Sequence, residues 1–451
     1  MIKKILIIFV LIIGLVLRLY KINNPIADWH SFRQVDTASV TRNIKNNTGS
    51  FLIPTYHDLS DLQTGKENPH GYRLVELPIY NQISAFFANF FSLEIASRLV
   101  SILFSLASGF LIYLIVLSWT KNYWAALSSM ATFLFLPFNI YYSRTILPEP
   151  TAVFFMLLSL YLFPTQFYFS AFTLALSILI KPYTALLLFP FYFYYAKKFN
   201  KKTNFIFGLI AFIPFILWRL WISHFPTGIP ASSWLFNEGN MRFHPAWWRW
   251  LFYERLGKLI LGVFGIIPFY LGFFYKKNKT QLNSILLFLG ILLYFSVIAR
   301  GNIQHDYYQV LTIPFISIIS GFGLYYMYKY LSPYSAIIIF LFALAFSWYQ
   351  IKDYYFINSD IVTAGKIVDQ TLPLDAWVLA PRNGDTTFIY QINRPGWPIE
   401  IYDIPKLLNS YPNHKIYFVT VDNNDYSSKL KSTYPSIINT DKLTILDLNK
   451  L

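Results

Sequence analysis

The chain is 451 residues long, 55% apolar and only 13% charged, about half the charged fraction of a soluble domain, and its 20% aromatic content leaves too little polar surface to cover a water-soluble fold of this size. It has no cysteine, which excludes disulfides, thiol catalysis and cysteine-ligated metal centres. The net charge of +15 does not point to nucleic acid, because the basic residues sit between apolar runs and their position matters more than their sum.

Apolar runs of near-span length predict eleven helices, at roughly 4–20, 96–118, 123–142, 150–163, 166–180, 183–196, 204–222, 257–275, 281–299, 308–328 and 334–350. The first run follows Lys3 and Lys4, and Arg18, Tyr20 and Lys21 stand where a cleavage site would need small residues. It therefore reads as an uncleaved first span. With the N-terminus inside, the cytoplasmic segments hold Lys3, Lys4, Lys121, Lys197, Lys198, Lys201, Lys202, Lys276, Lys277, Lys279 and Lys329 and no acidic residue, the positive-inside pattern. All eleven carboxylates before residue 352 then fall outside, and so do the arginines of that region. Long outer loops simply holding more polar residues would explain this. So would an outer site that needs carboxylates together with guanidinium forks, which match phosphate oxygens bidentately.

Two outer segments are long, 21–95 and 223–256. The second carries Trp247, Trp248 and Trp250, a cluster typical of a helix lying in the membrane interface. The stretch 79–93 is also expected to be interfacial. After residue 351 the composition changes: residues 352–451 hold 21 of the 59 charged residues, ten basic and eleven acidic. Strand-like runs at 377–380, 416–421 and 443–446 alternate with helix-like stretches. The expected architecture is an α-helical polytopic membrane domain over 1–351 and a small extracytoplasmic α/β domain over 352–451.

The first outer loop is the most informative. In Asp28-Trp29-His30-Ser31-Phe32-Arg33-Gln34-Val35-Asp36, Arg33 and Asp36 are three apart on one helical face, with Val40 and Ile44 on the neighbouring apolar stripe. A carboxylate beside Arg and His at a membrane surface suits a general base. On spacing alone, a solvated loop helix whose Arg33 and Asp36 pair is the favoured reading. Glu76, in Tyr72-Arg73-Leu74-Val75-Glu76-Leu77-Pro78, suits a metal, a sugar hydroxyl or a neighbouring arginine. Glu149 sits between Pro148 and Pro150 at the mouth of an apolar helix, either a functional group at membrane depth or a carboxylate favoured by the helix dipole. Lys181, before Pro182, can meet a lipid phosphate or simply snorkel. In the last outer loop of the helical part, His305 is a candidate donor to phosphate and Tyr308 a further substrate contact. No G-x-x-x-x-G-K-[ST] or G-x-G-x-x-G run is present, so no nucleotide-phosphate loop is expected.

Several of these runs together resemble the GT-C glycosyltransferases, and more closely glycosyltransferase family 39, which includes protein O-mannosyltransferases and the aminoarabinose transferases of lipid A. His30 through Ala38 looks like the H-x-W-R-Q-A-D-T-A signature of a bacterial and archaeal branch. Glu76-Leu77-Pro78, Ala96-Ser97-Arg98-Leu99, Arg144 through Pro150, Lys181-Pro182 and Arg394 through Trp397 are similar to later motifs of that branch, in the same order. The resemblance implies a polyprenyl-phosphate sugar donor, an inverting transfer on the outer face of the plasma (inner) membrane, and a first-loop carboxylate as base. Better-known members open this loop helix with an acidic pair. Aligned on Arg42, that pair falls on Arg33 and Gln34, so Asp36 is the preferred base and Asp28 the alternative. His30 and Arg33 are expected to help bind substrate. Lys181, Arg98 and His305 are expected to neutralise the phosphate. Glu76 and Glu149 are expected to orient the sugar or hold a divalent cation, which the reading admits and does not require. The acceptor is left open among lipid, glycan and protein, and no nucleic acid is expected. A transporter or flippase of a lipid-linked glycan is the alternative.

Overall fold

The computed structural model describes residues 2–450. They gather into two compact units. One holds residues 2–22, 98–220 and 232–354; the other holds 23–97, 221–231 and 355–450.

The first unit is helical. Among the described residues, five helical stretches, some continuing past this unit's bounds, are long and apolar enough to cross a membrane: Leu93–Thr120, Lys201–Ile222, Thr280–Val297, Asp306–Tyr330 and the run Pro333–Thr371. Tyr123–Phe135, Glu149–Leu162 and Phe167–Ile180 are shorter. A helix of about 14 residues rises only about 21 Å, short of the hydrocarbon thickness. Proline sets several of these ends. The span expected at 123–142 is interrupted at Leu136, where Pro137 opens a second short helix. Asn139 Nδ2 donates to the Phe133 carbonyl at 2.6 Å, replacing the bond that the proline cannot make. The span expected at 257–275 is instead a wide π-helix, Trp250–Ile260, a turn, and the short helix Ile266–Leu271. Gly262 adopts a positive φ of 55° at that turn, and a Cβ there would meet the Ala343 carbonyl, so the break is built around a glycine.

Burial within this unit is uneven. The apolar window of Asp306–Tyr330 is 89% buried, that of Lys201–Ile222 only 22%. Ile213, Ile216, Leu217 and Leu220 stay exposed along the latter helix, an apolar surface that suits lipid rather than water. Gly323 lets the buried helix approach Pro268 so closely that a Cβ would collide with its carbonyl, as close helix packing in a membrane favours.

The second unit contains a five-stranded sheet of order β2-β1-β3-β5-β4, with β1 Trp377–Leu379, β2 Gly396–Trp397, β3 Ile416–Thr420, β4 Ser436–Asn439 and β5 Thr444–Asp447. The first three strands are parallel, and β5 runs antiparallel to β3 and β4. Alternation assigns the faces. Val378, Ala380, Tyr417, Val419 and Ile445 pack with Val368 of helix Ser359–Thr371 and Ile389 of helix Thr387–Ile392. Leu379, Phe418 and Leu446 pack with Leu407 of helix Ile404–Ser410 and Leu430 of helix Asp425–Thr433. The long loop extends this sheet: Gly396 N donates to the His57 carbonyl and Leu59 N to the Gly396 carbonyl, both at 2.9 Å. Gly396 is thus held between β1 and the loop, where a Cβ would strike the Val378 carbonyl.

The strand runs expected at 377–380, 416–421 and 443–446 are β1, β3 and β5. β2 and β4 had no signal, one being two residues long and the other mostly exposed. The stretch 79–93 is helical only over Ile79–Phe87. Of the tryptophan cluster, Trp247 is buried and donates its indole N–H to the Ala299 carbonyl at 3.1 Å, whereas Trp248 and Trp250 stay exposed.

Candidate functional site

Helix Ser31–Lys45 carries the central group of the second unit. His30 precedes it in the left-handed region, with φ of 52°, an uncommon position for a residue with a side chain. Its ring lies 4.9 Å from Trp29 and 5.6 Å from Phe32. Val40 and Ile44 form a small core with Tyr56 and Ala85, so the apolar stripe faces inward. Asn81 Nδ2, on helix Ile79–Phe87, donates to the Thr37 carbonyl at 2.8 Å and ties the two helices together.

Opposite this helix runs the extended segment 72–76. Arg73 N donates to the Pro54 carbonyl and Leu74 N to the Gly228 carbonyl, both at 2.8 Å. Gly228 is needed there, because a Cβ would meet that of Tyr72 at 2.5 Å. The segment presents Arg73 and Glu76, and the helix presents Arg33 and Asp36. Two buried ion pairs result: Arg33 to Glu76 at 2.6 Å and Arg73 to Asp36 at 2.9 Å. Each residue of the sequence pair Arg33/Asp36 thus has a partner of opposite charge on 72–76. Asp36 receives two further donors, Thr386 Oγ1 at 2.7 Å and Gln63 Nε2 at 3.3 Å. Arg73 also bonds to Gln63 and lies over the Tyr56 ring at 5.0 Å. All four charged residues line a cavity of about 20 Å³, enough for a water molecule or a hydroxyl. Asp28, the alternative base, is buried and accepts from Gln34 Nε2 at 2.7 Å.

Two titratable groups nearby are perturbed. Burial is the main cause of the Asp58 shift, to about 6, and the negative charge of Asp36 adds to it. The Tyr56 hydroxyl donates to Asp58 at 3.3 Å. His57 is pushed down to about 3, by burial first and then by the Arg42 and Arg394 charges. The residue is half-buried, and its Nδ1 is buried without a partner.

The helical unit holds the other predicted residues. Glu149 opens helix Glu149–Leu162, and Lys181 closes helix Phe167–Ile180, which places each charge where the helix dipole favours it. They pair at 2.8 Å with both side chains buried. The second carboxylate oxygen of Glu149 and the Thr151 hydroxyl are buried without partners, leaving polar capacity for a ligand. Arg98 is fully buried and donates to the Ile22 carbonyl at 2.6 Å. His305 stacks on Tyr307 at 5.3 Å and on Tyr308 at 6.4 Å, and the Tyr308 carbonyl accepts from the Tyr294 hydroxyl at 3.1 Å. Among the described residues no three histidine or carboxylate side chains converge to hold a metal ion; Glu76 and Glu149 each have a cationic side chain as partner.

Arg73, Gln63 and Thr386 were not singled out from sequence. Arg73 had a usable signal: Arg73/Glu76 repeats the three-residue spacing of Arg33/Asp36. Thr386, 350 positions from Asp36, had none.

Two solved structures of ArnT from Cupriavidus metallidurans are similar to this chain in fold. The one bound to undecaprenyl phosphate matches with a TM-score of 0.68 and 12% identity, over 98% of this chain and 97% of that one. The chain has the fold of that ArnT structure. The oligosaccharyltransferase of Archaeoglobus fulgidus is also similar, with a TM-score of 0.56 and 11% identity over 92% of this chain and 69% of that one. A structure of the oligosaccharyltransferase AglB from the same organism, with an inhibitory peptide and a dolichol-phosphate, gives 0.54 and 11% over 93% and 69%. The family model for dolichyl-phosphate-mannose-protein mannosyltransferase matches residues 71–237, a stretch that includes Arg73, Glu76, Glu149 and Lys181. Among curated proteins none matches the sequence.

Proposed function

We propose that this chain is a membrane glycosyltransferase that moves a sugar from a polyprenyl-phosphate donor to an acceptor hydroxyl on the outer face of the membrane, with inversion at the anomeric carbon. The observation that carries the reading is Asp36: a buried carboxylate on a GT-C fold, paired with Arg73 and lining a hydroxyl-sized cavity. Undecaprenyl phosphate in the ArnT structure and dolichol-phosphate in the AglB structure support a polyprenyl-phosphate donor.

In this mechanism Asp36 takes the proton of the acceptor hydroxyl. The acceptor oxygen forms its bond to the anomeric carbon as the bond from that carbon to the phosphate oxygen breaks. The electron pair leaves with the lipid phosphate; the family resemblance alone is the ground for giving Lys181, in the helical unit, the role of neutralising a lipid phosphate. Glu149 balances Lys181 in the resting protein and orients it. Arg73, Gln63 and Thr386 hold the Asp36 carboxylate in one orientation, and the Arg33–Glu76 pair closes the other wall of the cavity.

The test is a transfer reaction with the full chain in detergent and a short-chain polyprenyl-phosphate hexose, read by NMR for polyprenyl-phosphate release and for the anomeric configuration of the product. Inverted product with stoichiometric release of the lipid phosphate supports the proposal. Retained configuration would remove Asp36 as a base acting in a single displacement.

A further inference from the structure

The sheet of the second unit carries a separate cavity of about 340 Å³, the size range of small-molecule sites. Its walls come from the carboxyl ends of the three parallel strands: residues 381–383 after β1, 399–400 after β2, and 420–424 after β3. From β1 the chain turns to β2 on one side, and from β3 it turns away on the other. Open α/β sheets bind ligands in the crevice between two such diverging loops.

The lining states the ligand chemistry. Arg382 pairs with Asp422 at 3.3 Å. Glu400 adds a second carboxylate, which accepts from the Tyr402 hydroxyl. The charged lining therefore sums to one negative charge, which disfavours a phosphate or a uronate. Asn383 supplies amide donors and an acceptor, and the aromatic residue Tyr426 also lines the cavity. Carboxylates, an amide and an aromatic ring around one cavity suit a polyhydroxylated ring that is neutral or carries an amine.

The cavity also adjoins the candidate base through two short connections. Leu62 lines it and sits over Gly384, and the next residue, Gln63, bonds to Asp36. On the other wall, Arg382 and Asn383 lead directly to Thr386, which donates to Asp36.

We infer that this cavity is a subsite for a glycan, binding a neutral or amino-bearing pyranose unit of the acceptor; its role as an acceptor subsite rests on the transferase reading, its affinity for sugar does not. The full chain in detergent is probed on an array of neutral, amino and acidic oligosaccharides, and in the transfer reaction with whichever array glycan binds as acceptor. Neutral or amino glycans should bind, and Glu400→Gln and Asp422→Asn, combined, should weaken that binding about tenfold. In transfer the same variant should raise the acceptor KM by about tenfold, with donor KM and thermal melting unchanged. Binding confined to acidic glycans, no binding at all, or binding undiminished in the variant overturns the inference. Glycan binding lost in the variant while the parent chain transfers from no polyprenyl-phosphate sugar would sink the transferase reading and leave the subsite standing.

Discussion

Two buried carboxylates, one in each unit, are held in different ways. Asp306 in the helical unit accepts from the hydroxyls of Tyr142 and Tyr354, the latter at 2.6 Å, and lies 3.8 Å from the Arg255 guanidinium. Asp36 in the other unit is paired with Arg73 at 2.9 Å, receives Thr386 and Gln63, and lines a cavity. A carboxylate that accepts from two phenols joins three chain segments. One held by a guanidinium next to a hydroxyl-sized space has room beside it for the acceptor hydroxyl that the proposed mechanism needs. Burial alone does not mark a candidate base, since both side chains are almost fully enclosed; the cavity lined by Asp36 is the observation that motivates its assignment.

Exchanging each group sharpens this contrast. Asp36→Asn should lower kcat by about a thousandfold, the middle of the range for a general base, and a fall of less than about threefold in the transfer reaction would break the distinction. Lys181→Ala should lower kcat/KM for the donor by about a hundredfold, measured against varied polyprenyl-phosphate sugar; Lys181→Arg should recover part of it, because the charge matters more than the shape. His57 should act on stability alone. Its folded pKa near 3 lies below the unfolded value of 6.5, so its contribution is complete above pH 6.5 and is lost as pH falls. By pH 5 the loss should reach about 2 kcal/mol, and melting curves of His57→Asn should fall less steeply over that range than those of the parent chain. Asp306→Asn should cost about 1 kcal/mol of stability, because an amide forfeits one of the phenol donors, and should leave kcat within about twofold.

Most helices of the first unit were legible as apolar runs, because a lipid-facing or tightly packed helix needs a long apolar stretch. Where the reading failed, a local backbone feature intervened: Pro137 split one span, and Gly262 with Pro268 turned another into a π-helix and a short segment. In the α/β part, β1, β3 and β5 showed as buried apolar runs, while the two-residue β2 depends on neighbours at Val378 and His57 that only folding supplies. The candidate site was half legible. Spacing put Arg33 and Asp36 on one helical face and favoured a pair between them, whereas the structure pairs Arg33 with Glu76 and Asp36 with Arg73; their choice as site residues, like that of Glu76, came from the family resemblance. That Asp36 would be completed by Gln63, Arg73 and Thr386 was not legible, since the sequence holds no record of which distant loop returns to a helix. The Glu149–Lys181 pair was visible as two unusual charges at helix ends but not as a pair, because they lie on consecutive helices whose packing brings the ends together.

The most direct measurement compares Asp36→Asn with the double variant Asp36→Asn, Arg73→Gln. Removing both charges restores a neutral, hydrogen-bonded pair, so the double variant should melt close to the parent chain. If Asp36 is the base, both variants still bind the polyprenyl-phosphate sugar and neither transfers it. Recovery of transfer in the double variant would show that Asp36 serves only to balance Arg73, and would contradict the account.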